Sequence, residues 1–158
     1  MDATELLTKD HDAVKQLFAE FESAESEQDR LDVYDDIREQ LLIHARIEEE
    51  IFYPAVRETN SGKSATQVEE ALKEHQQVKE MLDKLDDMAA EVDADFAETI
   101  RTLAESVEHH VQEEENEIFV SARKLGDEHL SELGNRLQQR KDQLMEAGSE
   151  EAEQSAGQ

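Results

Sequence analysis

Four stretches of this chain repeat apolar residues at steps of three and four, and each carries a histidine where the repeat expects an apolar side chain. That spacing is the signature of a helix burying one stripe. The first stretch runs from about Thr4 to Ser23, with Leu7, His11, Val14, Phe18 and Phe21 on its stripe. The second runs from about Asp29 to Arg57, through Val33, Ile37, Leu41, His44, Glu48, Ile51 and Ala55. The third, from about Thr66 to Ala90, uses Val68, Leu72, His75, Val78, Leu82 and Leu85. The fourth, from about Asp95 to Lys124, uses Phe96, Ile100, Leu103, Val107, His110, Glu114, Ile118 and Ala122. A fifth, from about Glu128 to Met145, uses Leu130, Leu133, Leu137 and Leu144. Four long helices with short connections predict an all-α, antiparallel up-down-up-down four-helix bundle with a short fifth C-terminal helix.

The breaks carry the chemistry of helix ends. Ser23 to Gln28 is short and polar, and Thr59-Asn60-Ser61-Gly62 is a turn cluster. Thr66 with Glu69, and Asp95 with Glu98, have the spacing of capping boxes. Gly126 followed by Asp127 is spaced as a terminating glycine and the next helix's cap. Pro54 is expected to kink or end the second helix, because it cannot donate to the Glu50 carbonyl. Residues 1–146 are thus expected to form the bundle, and residues 147–158, rich in Glu, Ser, Ala and Gly, a disordered acidic tail.

Composition removes several function classes. There are 16 Lys and Arg against 42 Asp and Glu, a formal net charge of −26, so neither nucleic acid nor an anionic membrane is an expected partner. Cysteine is absent, which excludes disulfides, thiolate metal sites and a cysteine nucleophile. Five Gly and one Pro are too few for a turn-rich β fold. The opening residues Met1-Asp-Ala-Thr-Glu-Leu-Leu lack a basic and an apolar run, so a cytoplasmic location is expected.

The informative residues are polar ones on apolar stripes: His11, His44, His75 and His110, with Glu48 and Glu114. Each glutamate follows a histidine by four residues, which places both side chains on one face a turn apart. Counted along alternating helices at about 1.5 Å per residue, all six fall in a slab roughly 10 Å thick. A lone histidine on a stripe is usually a hydrogen-bonded core residue. Two buried carboxylates with no stripe Lys or Arg to pair with are far costlier, and a cation answers both problems. Imidazole and carboxylate without sulfur suit iron, manganese or zinc. Two glutamates among four histidines point to two metals, each carboxylate bridging, with coordination positions left open for a small ligand.

These residues resemble the hemerythrin-like family, the HHE cation-binding domains, over about residues 4 to 145. The strongest element is His44-Ala-Arg-Ile-Glu48-Glu49-Glu50-Ile-Phe-Tyr-Pro54, similar to the family's H-x-x-x-E stretch ending in an aromatic and a proline. His110-Val-Gln-Glu-Glu114-Glu115-Asn-Glu-Ile-Phe119 repeats it, and Asp10-His11 and Glu74-His75 resemble the motifs of the other two helices. The resemblance implies two non-haem iron ions, oxo- or hydroxo-bridged, with zinc or manganese ranking behind. His11, His44, His75 and His110 would be terminal ligands, and Glu48 and Glu114 bridges. It also implies binding of O2 or a related small ligand such as peroxide or nitric oxide. The alternatives are an enzyme decomposing peroxide or handling nitric oxide, and an iron-storing or sensing module.

One position departs from the O2 carriers, which place a second histidine four residues after the one on the third helix. Lys79 stands there. Its ammonium is expected to extend toward the surface and leave a metal position open, a more exchangeable centre than a carrier's. His109 and His129 are expected on the surface. The Glu-x-x-His pairs of ferritin-like proteins are absent, since Thr8, Leu41, Leu72, Ser106, Val107 and Gly126 precede the histidines by three.

Overall fold

The computed structural model describes residues 1–59 and 62–156; Asn60 and Ser61 of the expected turn cluster, and Gly157 and Gln158 of the tail, lie outside the described residues. Helix α1 spans Ala3–Ser23, with the Asp2 carboxylate accepting from the Glu5 N–H. Helix α2 begins as Glu27–Ile47, capped by Ser26, passes through a π-helical turn at Glu48–Phe52 and continues as Tyr53–Arg57. Helix α3 spans Gly62–Met88. Helix α4 begins as Ala94–Glu113, passes through a second π-helical turn at Glu114–Ile118 and continues as Phe119–Arg123. Helix α5 spans Asp127–Ala156. The result is the expected four-helix bundle with an added C-terminal helix, and no strand among the described residues.

Several helix ends differ from expectation. Helix α3 starts at Gly62, so Thr66 lies inside it and its hydroxyl donates to the Gly62 carbonyl. Helix α4 is capped by Asp93, whose carboxylate accepts from the Phe96 N–H, rather than by Asp95. Both changes reflect competition between neighbouring acceptors that spacing cannot rank. Gly126 has φ of +91°, the left-handed conformation expected of a terminating glycine. Helix α5 continues past Leu144 through Ala156, into the segment expected to be a tail.

The core is two apolar clusters separated along the bundle axis. One holds Leu7, Ile47, Phe52, Val56, Val68, Phe119 and Ala122, closed by Leu130, Leu133 and Leu137 of α5. The other holds Val14, Phe21, Tyr34, Ile37, Leu82, Phe96, Ile100 and Leu103. On every bundle helix the polar stripe residues fall between the two. Among the described residues no helix is long and apolar enough to cross a membrane.

The π turns reset the buried stripe. Each inserts one residue into a turn, so the face presented to the core advances by one position. After Glu48 the inward residue is Phe52, fully buried, and the expected Ile51 is only half-buried at the edge. Pro54 does not cause this. The turn after Glu114 has the same form, and Val120 stands where Pro54 stands in α2. What the two turns share is a buried glutamate at their first position.

Candidate metal centre

The structure brings all six stripe residues together and buries them, with Glu48 and Glu114 at 0% and 1% exposure. They form two groups whose donor atoms lie within 4.8 Å of one another: His11, His44, Glu48 and Glu114, and Glu48, His75, His110 and Glu114. Both carboxylates belong to both groups. Glu48 Oε1 lies 3.1 Å from His44 Nε2 and 3.2 Å from His75 Nε2. Glu114 divides its oxygens, Oε1 at 3.2 Å from His11 Nε2 and Oε2 at 3.3 Å from His110 Nε2.

The donor set fits metal ions better than it fits itself. His11 Nε2, His44 Nε2, both Glu48 oxygens and Glu114 Oε1 are buried without a hydrogen-bond partner, although neighbouring atoms are close. His75 Nε2 and His110 Nε2 face each other at 3.2 Å. Buried polar atoms left this way are costly, and a cation receiving their lone pairs removes the cost. No Lys or Arg reaches these atoms among the described ion pairs; Lys79 and Lys141 are paired one layer further out.

That outer layer closes a ring around the bundle. His44 Nδ1 is 3.0 Å from Asp10 Oδ2, His75 Nδ1 is 3.0 Å from Glu49 Oε2, and His110 Nδ1 is 2.9 Å from Glu74 Oε1. The fourth member is looser, with His11 Nδ1 3.7 Å from Glu115 Oε2. Each outer carboxylate is the chain neighbour of a residue in the centre, and each serves the histidine of the next helix. A carboxylate on Nδ1–H fixes the tautomer and turns the Nε2 lone pair inward.

Charge follows the same geometry. Burial works against a charged His44, yet Glu48 and Asp10 hold its pKa well above the usual value. His75 is raised against its burial by Glu48 and Glu49, and His110, against its burial, to about 10 by Glu114 and Glu74. Burial opposes ionisation of Glu114, but Glu48, His11 and His110 beside it keep its pKa well below the carboxylate range. Raised imidazoles at His44, His75 and His110 thus stand against the lowered carboxyl of Glu114, and protons compete with any cation for these groups.

Tyr53 is the residue that sequence reasoning missed. Its hydroxyl donates to Glu114 Oε2 at 2.5 Å and lies 3.2 Å from His75 Nε2. Burial, then Glu114 and Glu48, push its phenol well above the ordinary value, so it is a donor here. On a regular helix Tyr53 would sit about 140° from Glu48, at 100° per residue; the π turn brings it inward. Lys79 lines a cavity beside the four imidazoles, and its ammonium bonds both Glu49 oxygens at 3.2 Å, a contact with the carboxylate behind His75 that spacing did not reveal. His109 is exposed and pairs with Glu113 at 3.0 Å, and His129 lies outside the centre.

A small apolar cavity of about 40 Å³ adjoins the four imidazoles on the side away from the glutamates. Val14, Leu41, Leu82 and Val107 line it, and a single water needs only about 10–15 Å³. Its volume is that of a few water-sized molecules.

An α-helical bundle whose core is interrupted by paired imidazole–carboxylate groups defines a cation-binding helical protein. Residues 2–122 match the Hemerythrin HHE cation binding domain, and the chain belongs to that family. It is similar to the crystal structure of a Hemerythrin HHE cation binding domain-containing protein from Mycobacterium kansasii, at a TM-score of 0.79 and 26% identity, over 93% of this chain and 89% of that one. It is also 30% identical over 123 residues to a DNA nickase of Nostoc sp., across 78% of this chain but 34% of that protein. The chain thus spans about a third of that relative's length.

Proposed function

We propose that the chain is a non-haem di-iron protein binding O2 or a related small ligand, peroxide or nitric oxide, in the bundle core. The observation that carries this reading is the sharing of Glu48 and Glu114 by two histidine pairs. His11 and His44 would hold one iron, His75 and His110 the other, and the two carboxylates would bridge them. Iron bound there supplies the electron-transfer and small-molecule chemistry that the side chains lack. The protein's part is to hold four Nε2 lone pairs inward, to keep water scarce with Val14, Leu41, Leu82 and Val107, and to limit the cavity to small molecules.

Tyr53 favours a second reading on the same scaffold. Its hydroxyl, held on Glu114 Oε2 and 3.2 Å from His75 Nε2, is a buried proton donor beside the metal-binding side chains, as decomposition of peroxide or handling of nitric oxide requires. The nickase activity of the Nostoc relative is not carried over. A chain of net charge −26 repels a phosphate backbone, and no clustered cations offset it.

Two iron ions per chain after anaerobic loading, and an optical spectrum that shifts on adding azide, nitric oxide or peroxide, are the expected results. Uptake of one iron or none, or two irons retained in Glu48→Ala, would overturn the di-iron reading. Steady turnover of peroxide would favour the enzyme over the binding protein.

A further inference from the structure

We propose that α5 is a positioning element of the metal centre, with Lys141 acting through Asp10 on His44. This rests on the reading of His44 as a ligand. Residues 2–122 carry the family match, so Asp127–Ala156 lies outside it. Yet α5 reaches the centre. Lys141 Nζ donates to Asp10 Oδ1 at 2.6 Å, and the other oxygen, Oδ2, lies 3.0 Å from His44 Nδ1. Asp10 thereby spends one oxygen on each partner.

Asp10 needs this cation more than its counterparts do. Its side chain is 5% exposed, against 28% for Glu49, 16% for Glu74 and 35% for Glu115. The more exposed three can draw on water; Asp10 draws on Lys141, itself 20% exposed. Without the ammonium, the buried carboxylate loses one of its two partners and turns toward solvent to replace it. That turn withdraws the acceptor from His44 Nδ1–H and frees the imidazole to reorient.

The placement of Lys141 is built into the helix. Leu130, Leu133 and Leu137 anchor α5 in the apolar cluster beside the centre, and Lys141 follows Leu137 by one turn on the same side. Gly134 lets the N-terminus cross close by, since a Cβ there would lie 2.3 Å from the Met1 carbonyl oxygen. Arg140 adds a second link, bonding Glu50 at 2.8 and 3.3 Å within the π turn that starts at Glu48. Consecutive cations of α5 thus hold α1 beside His11 and His44, and the α2 π turn that opens at the shared Glu48.

The test uses the full chain loaded with ferrous iron, with release of each iron to a ferrous chelator followed optically. Lys141→Met is expected to release one iron on the order of tenfold faster and the other at the wild-type rate. Lys141→Arg should restore slow release. Lys79→Met, which loosens Glu49 behind His75, should speed the other iron. A second readout needs no iron: the His44 Nδ1–H proton, observed by NMR in the metal-free protein, should exchange with water faster in Lys141→Met and recover in Lys141→Arg. Unchanged iron release and unchanged proton exchange in Lys141→Met overturn the proposal. Equal acceleration of both irons with a lowered melting temperature of the metal-free chain also overturns it, by showing that α5 only packs. A wild type that takes up fewer than two irons overturns the di-iron reading instead, and the proton exchange then decides the role of Lys141 alone.

Discussion

The two halves of the centre are built to one plan and finished differently. His11 of α1 and His44 of α2 correspond to His75 of α3 and His110 of α4, and each glutamate opens a π turn that delivers an aromatic residue five positions on. In α2 that residue is Tyr53, whose hydroxyl enters the His75–His110 half. In α4 it is Phe119, which stacks on His11 with ring centres 6.0 Å apart and brings no polar atom. The His75–His110 half has short outer contacts on both histidines and a phenol. The His11–His44 half holds His44 firmly through Asp10, but His11 only loosely, at 3.7 Å from Glu115. One missing oxygen and one lengthened contact leave the His11–His44 half with fewer outer partners than the His75–His110 half.

Removing what the halves share has the largest effect. Glu48→Ala or Glu114→Ala takes an oxygen from both groups and should abolish two-metal binding, whereas His44→Ala and His75→Ala should each cost one metal. Elemental analysis per chain checks this, and retention of both metals in Glu114→Ala would contradict the shared carboxylates. Chelation of the wild type should also lower its melting temperature, since binding to the folded state alone adds a few kcal/mol at high saturation, as RT ln(1 + [L]/Kd).

Exchanging the aromatic pair sharpens the contrast. Tyr53→Phe should make the halves alike, removing a donor from Glu114 and shifting the optical spectrum of the iron-loaded protein. Loss of a hydrogen bond to a charged group costs about 1.5–3 kcal/mol in stability. Phe119→Tyr places a hydroxyl on the opposite side, next to His11, and should slow exchange of the looser metal. Metal release from both variants at wild-type rates would show that the phenol does not distinguish the halves.

The pH response should separate metal-free from metal-loaded protein. His44, His75 and His110 have raised values in the folded chain, so their protonated contacts stabilise the metal-free protein fully below the ordinary histidine pKa. That contribution is lost as pH rises toward about 10, the value of His110. Metal binding needs those protons gone and strengthens over the same range. The gap between loaded and metal-free melting temperatures should therefore widen from pH 6.5 to 9, and a constant gap in calorimetry would refute the competition. The smallest effect belongs to His109→Ala. Its ring is 68% exposed, and metal content should not change.

Much of the centre was legible before any coordinates. His11, His44, His75 and His110 interrupt apolar stripes, and Glu48 and Glu114 repeat the interruption one turn later, so residue spacing alone set their common level and face. Lys79 was legible only as a position. Which carboxylate it would meet depended on how α2 packs on α3. Tyr53 was hidden because a regular helix turns it away. The outer ring was legible only in part: Asp10 and Glu74 stand in the motifs of α1 and α3, but which histidine each would serve, and any role for Glu49 and Glu115, did not show in a chain with 42 acids.

The sequence by itself determined the helices, their order, the stripe each buries and the six polar residues at one depth, because helical periodicity is a local property that burial reads directly. The tertiary structure alone decided the two π turns, the entry of Tyr53, the carboxylate behind each histidine and the reach of Lys141 from α5. Those features depend on where one helix lies against another. A π turn gives up regular hydrogen-bond geometry within its own helix, and only the packing of buried glutamates and aromatics from other helices makes it the lower free energy.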